Sequence, residues 1–163
     1  MDVCKYCLSL PYPSVDGKVD NRSLAQIMQS IGGKDGEMTA CTQYIFEHVV
    51  FEGKKQDKLA GELKGISICE MKHYELLSGA VLSFGGEPLV SGAYSFWNGS
   101  YLNYCYDTKS LLQNNIYAEQ IAIKDYEKII QTTDNDSLKR LIGRIIMDEQ
   151  LHITIFENLL KSI

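Results

Sequence analysis

Cys-Glu-Met-Lys-His at residues 69–73 and Asp-Glu-Gln-Leu-His at 148–152 each set a glutamate three residues ahead of a histidine. On a helix that spacing puts both side chains on one face, one turn apart, so a carboxylate and an imidazole reach into the same space. Around the first motif, Leu59, Leu63, Ile66, Glu70, His73, Leu77, Ala80 and Phe84 alternate steps of four and three. This is the seam of a helix packed in a left-handed bundle. Around the second, Ile142, Ile145, Glu149, His152, Phe156 and Leu159 form the same kind of stripe. Acids on a core stripe cost several kcal/mol each unless opposite charge or metal compensates them.

Working outward, a third stripe runs through Leu112, Ile116, Glu119, Ile123, Tyr126 and Ile130, on a helix from about residue 108 to 132. Thr133-Asp134-Asn135-Asp136 supplies the turn and cap before the last helix. The first helix is expected from about residue 22, capped by Asn21, to the low fifties. Gly32, Gly33 and Gly36 each weaken its middle by roughly 1 kcal/mol relative to Ala, so a kink or interruption is expected there. Gly85-Gly86-Glu87-Pro88 ends the second helix. Residues 85–106 carry Tyr94, Phe96, Trp97, Tyr101, Tyr104 and Tyr106 without helical spacing, which reads as a long, packed connection. Residues 1–20, with Pro11, Pro13 and Gly17, read as an extended arm, and 21–163 as one helical bundle.

Heights along the bundle connect these stripes. Glu37 and Glu70 have their midpoint at the Gly53-Lys54 turn, so folding that hairpin brings the two carboxylates level. Glu119 and Glu149 have theirs at Asp134, inside the second turn. Each hairpin thus sets one Glu against one Glu-x-x-His, and the chain is an internal near-duplication. Two divalent cations would balance the four carboxylates, with two neutral imidazoles completing the set. Oxygen and nitrogen donors without thiolate favour iron or manganese over a structural zinc. With 11 Glu in 163 residues, a given His has one three positions before it about 7% of the time, so two of three histidines doing so by accident is rare.

The bulk composition agrees with one soluble domain. Forty-five per cent hydrophobic residues in 163 can bury a full core. A net charge of −5, with no Lys/Arg cluster, makes nucleic acid an unexpected partner. No apolar run suits a membrane span and the N-terminus lacks the flank of a secretory signal, so the protein reads as cytoplasmic. Five cysteines in a chain of this size read as reduced thiols. Cys4-x-x-Cys7 is then a pair of thiols on a mobile arm, or else a redox pair or half of a site shared across a dimer. His48 reads as an ordinary helix histidine, with a proton-relay role as the lesser alternative.

The Cys-Glu-Met-Lys-His and Asp-Glu-Gln-Leu-His motifs resemble the ligand motifs of bacterioferritins and rubrerythrins. Gly-Glu-Met-Thr (36–39), Gln-Tyr-Ile-Phe (43–46) and Phe-Glu-Gly-Lys-Lys (51–55) resemble the first helix and turn of manganese catalases and their spore-coat relatives. Over residues 20–163 the chain is thus similar to the ferritin-like superfamily. That resemblance implies an all-α, ferritin-like four-helix bundle with a long crossover between helices two and three, which run parallel. It implies Glu37 and Glu119 as terminal ligands, Glu70 and Glu149 as bridges, and His73 and His152 as one imidazole per metal. It implies Tyr44 as a catalytic hydroxyl near a terminal ligand. It also implies Asp148 as the acid that supports a histidine across the bundle, with Cys69 in the matching place on the second helix.

Two departures bear on substrate. The second Glu of rubrerythrins is replaced by Ile116 and Ala122 one turn either side, and the Arg expected before the third-helix Glu of manganese catalases is Ala118. The expected function is a two-metal oxidoreductase acting as a catalase or peroxidase on hydrogen peroxide, with dioxygen the other small substrate. An external electron donor and a homodimer or higher assembly are expected with it. A ferroxidase or storage protein ranks lower, since no further helical stretch follows the fourth helix before Ile163, and a structural spore protein with a vestigial site is the third possibility.

Overall fold

The structure, a computed structural model, describes residues 5–163, so Cys4 lies outside it. Five α-helices form the bundle: α1 (Asn21–Gly32), α2 (Glu37–Gly53), α3 (Asp57–Ser83), α4 (Thr108–Thr132) and α5 (Asp136–Lys161). The first bundle helix is interrupted at 33–36, giving α1 and α2. Gly33 and Gly36 both take extended backbone there, and the Thr39 hydroxyl donates to the Gly33 carbonyl at 3.0 Å. The break makes Glu37 the first residue of α2, where the helix dipole favours a carboxylate. The cap of α1 is Asp20, one residue earlier than expected. Its carboxylate accepts from the Ser23 amide at 2.7 Å, leaving Asn21 as the first helical residue.

The two hairpins close through short turns. Lys54, Lys55 and Gln56 join α2 to α3, with Lys55 in the left-handed region at φ 58°. Asn135 caps α5 by accepting from Leu138 N at 2.8 Å. Two apolar clusters fill the opposite ends of the bundle. One gathers Tyr44 and Phe51 with Leu63 and Ile66 of α3, Leu111 and Leu112 of α4, and Phe156 of α5. The other gathers Ile27 and Ile31 with Leu77 and Val81 of α3, Tyr126 and Ile129 of α4, and Ile142 of α5. The starts of α3 and α4 therefore share one end and their finishes the other, so these helices run parallel. Their connection has to cross the length of the bundle, as the resemblance implies.

That crossover is held on one side only. Trp97 Nε1 donates to Thr39 Oγ1 at 3.0 Å, and Gln43 exchanges two hydrogen bonds with the Asn103 backbone at 2.7 and 2.8 Å. Tyr104 and Tyr106 stand edge-on to Phe46. The expectation of a packed connection is corrected in part: Trp97 and Tyr101 are half-buried, but Tyr94 is 94% and Phe96 73% exposed, because a segment outside the helices has a single face to bury. The α4 stripe also shifts. Leu112, Asn115, Glu119, Tyr126 and Ile129 are buried, while Ile116, Ile123 and Ile130 are only partly so.

The described part of the arm, from residue 5 on, is tied to the bundle. Arg144 Nη2 donates to the carbonyls of Leu8 at 2.6 Å and Leu10 at 3.2 Å, and Leu8 N donates to Asp148 Oδ1 at 2.7 Å. Tyr6 lies over Gly65, where any Cβ would collide with its ring. Cys7 is buried and bonded to Cys69, with Cα atoms 5.9 Å apart. The expectation of reduced thiols is corrected for this pair, which counting cysteines along the chain could not find because the arm folds back onto α3. Among the described residues, Cys41 and Cys105 have no disulfide partner.

Candidate metal centre

Between the two apolar clusters lies a belt of polar side chains. Glu37, Glu70, Glu119 and Glu149 are 1–3% exposed, and His73 and His152 are fully buried. The hairpin geometry brings all six to one level. His73 Nδ1 stands 2.9 Å from Glu70 Oε2, 3.2 Å from Glu149 Oε1 and 3.7 Å from Glu37 Oε2. His152 Nδ1 stands 3.0 Å from Glu70 Oε1, 3.0 Å from Glu149 Oε2 and 3.7 Å from Glu119 Oε1. Both rings thus turn the same nitrogen inward. Two four-residue donor sets result, Glu37/Glu70/His73/Glu149 and Glu70/Glu119/Glu149/His152, each with ligand atoms within 4.8 Å of one another. Glu70 and Glu149 belong to both.

The outward nitrogens are held differently. His73 Nε2 lies 3.1 Å from Asp148 Oδ2 and 3.6 Å from Cys69 Sγ. His152 Nε2 lies 2.9 Å from the Tyr6 carbonyl, supplied by the arm. Such contacts orient an imidazole and select its tautomer. Asp148 is itself fixed by Arg144 Nη1 at 2.7 Å, the Tyr12 hydroxyl at 2.6 Å and the Leu8 amide. Burial raises its carboxyl, but His73 first, then Arg144, Tyr12 and Leu8, outweigh that and hold it down at about 2.

Two tyrosines extend the near-duplication. The Tyr44 hydroxyl donates to Glu119 Oε1 at 2.6 Å, and the Tyr126 hydroxyl donates to Glu37 Oε1. Each tyrosine stands seven residues after the glutamate of its own helix and serves the glutamate of the other. Tyr44 is expected here from the resemblance, whereas Tyr126 reads in the sequence only as part of a core stripe; its seven-residue offset from Glu119 is the signal that marks it. Burial first, then Glu119, pushes the Tyr44 phenol well up, so it remains a donor. His48 turns away from the belt, its Nδ1 2.9 Å from the Ala60 carbonyl.

Electrostatics indicates what this belt accommodates. Burial, then Glu70, pushes the Glu37 carboxyl well up, and burial with Glu70 and Glu149 does the same to Glu119. Burial opposes the charged form of Glu70 too, but His152 and His73 outweigh it and hold that carboxyl well down. Both imidazoles are pushed well up, against their burial, by the carboxylates around them. The cage gathers positive charge as protons on these groups. A pair of divalent cations supplies the same charge and would displace them. The fit extends to single atoms: buried Glu70 Oε1 has no well-aligned hydrogen bond among the described residues, its near neighbour being His152 Nδ1 at 3.0 Å.

A cleft of about 250 Å³ leads to the belt between α2 and α4. Gly36, Ala40, Ala118 and Ala122 keep its walls low, and Tyr44 and Glu119 line it. Gln43 and Asn115 of the same cleft both bond Glu47, at 2.7 Å each. Glu47 is 2% exposed, and burial pushes its carboxyl up to about 8 although both amides act in the opposite direction. Nothing in the sequence pattern points to Glu47, for an acid in mid-helix looks like a solvent-facing one.

Comparisons with known proteins agree with this architecture. A bacterioferritin from Desulfovibrio desulfuricans is 28% identical over 123 residues, which span 76% of this chain and 67% of the relative. Two solved structures of KatB, a manganese catalase from Anabaena, superpose with a TM-score of 0.83 over 94% of this chain and 78% of theirs, at 24% identity. No helix among the described residues is long and apolar enough to cross a membrane. The ferritin-like domain family matches residues 35–163, and with all six belt residues inside that span the chain belongs to this family.

Proposed function

We propose that the protein is a two-metal carboxylate oxidoreductase that consumes hydrogen peroxide. Glu37 and Glu119 would be the terminal ligands, Glu70 and Glu149 the bridges, and His73 and His152 the imidazoles of two iron or manganese ions. The observation that carries the reading is the sharing of Glu70 and Glu149 between two buried donor sets, since a lone structural ion needs only one set. The metals, when bound, would supply Lewis acidity and a pair of redox equivalents. The chain's own part is to keep the cage dry, to orient each imidazole through its outer nitrogen, and to admit a molecule no larger than the cleft allows. Tyr44 would act at the foot of the cleft, where its hydroxyl holds Glu119 and would stand beside an entering substrate.

A second reading has its own support: the bacterioferritin likeness suits a ferroxidase that oxidises ferrous iron with dioxygen. Metal analysis of protein from its native cells, paired with oxygen-electrode traces, separates the two. Oxygen release on adding peroxide is the catalase outcome, and peroxide loss only with a reductant present is the peroxidase outcome. Oxygen uptake on adding ferrous iron, with peroxide untouched, would replace the proposal by the ferroxidase reading.

A further inference from the structure

We propose that Cys7 and Cys69 are a redox-active pair that furnishes the two electrons for peroxide reduction at this centre, making the protein a dithiol-dependent peroxidase. The inference rests on the peroxide reading above and names its electron donor. Cys69 Sγ lies 3.6 Å from His73 Nε2, and the same ring presents Nδ1 to Glu70, Glu149 and Glu37. One imidazole therefore separates the sulfur from the carboxylate cage.

A purely structural role for the bond is poorly motivated. A chain of 163 residues has core enough without staples. The arm is already tied down on both sides of Cys7 by Leu8 N and the Tyr12 hydroxyl on Asp148, Arg144 on two carbonyls, Asp16 N on Ser137, and the Tyr6 carbonyl on His152. With the S–S bond open, those contacts keep the two sulfurs side by side. A thiolate metal site with Asp148 is equally unsuited, because Leu8 N, Tyr12, Arg144 and His73 already occupy that carboxylate. Two adjacent thiols hold the number of electrons that one peroxide requires.

The balance closes. The Cys7 and Cys69 thiols give up two electrons and two protons as one S–S bond forms; the O–O bond of hydrogen peroxide breaks, and its oxygens leave as two waters. An external dithiol resets the pair by attacking Cys7 Sγ, since Cys7 is the less completely buried residue, with Cys69 as the leaving thiol; the dithiol departs as its own disulfide. Peroxide would enter through the cleft between α2 and α4, and the reductant from the face covered by the arm.

The test uses the full chain, reduced with dithiothreitol, freed of it, and loaded with manganese or with iron. One equivalent of hydrogen peroxide is added anaerobically, and thiols are trapped by alkylation and mapped by mass spectrometry while peroxide is followed in parallel. The expected result is a Cys7–Cys69 disulfide formed in step with peroxide loss, at least about tenfold faster than in metal-free protein, with Cys41 and Cys105 still thiols. Cys7→Ser, which leaves the belt intact, should show no sustained peroxide turnover on dithiothreitol. Peroxide loss with Cys7 and Cys69 both remaining thiols would overturn the donor assignment and leave the peroxide reading standing. Equal oxidation rates with and without metal would overturn it in favour of ordinary thiol chemistry. No peroxide loss and no disulfide would overturn both.

Discussion

The two hairpins, α2 with α3 and α4 with α5, agree in their inner layer and diverge just outside it. Glu37 and Glu119, Tyr44 and Tyr126, Glu70 and Glu149, and His73 and His152 occupy matching places in the two halves. The next ring does not repeat. His73 is backed by the Asp148 carboxylate and a sulfur, His152 by a backbone carbonyl. Ten residues beyond Glu37 stands Glu47 in a polar nest; ten beyond Glu119 stands Ile129 in the core. Matching donors satisfy the electrostatics of a paired cage, whereas the outer contacts orient the two imidazoles by different means.

The largest effect should come from breaking what the halves share. Glu70→Ala or Glu149→Ala should strip both ions, whereas Glu37→Ala or Glu119→Ala should remove one. Elemental analysis of the purified variants decides this, and a full complement in either bridging variant would refute the assignment. Next is the asymmetry at Glu47. Its folded carboxyl holds a proton up to about pH 8, while the unfolded one loses it near the ordinary 4.5. The stability contributed by this group is therefore fully present below about 4.5 and is lost between about 4.5 and 8, at about 1.4 kcal/mol per pH unit, with no further loss above. Glu47→Gln should flatten that decline in denaturant titrations across the window, and an unchanged slope would show that Glu47 is not the group responsible.

Asp148→Asn probes the unequal backing of the histidines. It should weaken retention of the His73-side ion by about 10–100-fold and leave the His152-side ion bound, as a two-step chelator titration would register. Parallel loss of both ions would mean that the halves are not independent in their outer contacts. The smallest and most even effect belongs to the tyrosines. Tyr44→Phe and Tyr126→Phe should each cost about 1–2 kcal/mol in thermal melts, because each removes one hydroxyl donor to a buried carboxyl. Unequal costs would show that the near-duplication fails already in the inner layer.

Much of the inner layer is legible in the sequence because it is written in side chains at helical spacing. Glu-x-x-His twice, with each midpoint falling on a turn, is enough by itself to place six groups at one height. The parallel course of α3 and α4 is what the resemblance implies and the length of 85–106 agrees with it, and the weak stretch at Gly32, Gly33 and Gly36 is where the first bundle helix breaks. The outer ring is largely hidden. The support for His152 comes from the main chain of Tyr6, and a carbonyl leaves no mark in residue identity. Cys7 and Cys69 are separated by 62 positions, and only the fold of the arm over Gly65 brings them together. Glu47 is disguised as a surface acid, although Gln43 one turn before it is the partner a buried carboxyl needs.

The most direct test is anomalous diffraction from crystals grown with manganese or iron. Two peaks are expected inside the polar belt, one among Glu37, Glu70, His73 and Glu149 and the other among Glu70, Glu119, Glu149 and His152, with Glu70 and Glu149 touching both. A single peak, or peaks beside Cys7 and Cys69 or on the surface, would contradict the account.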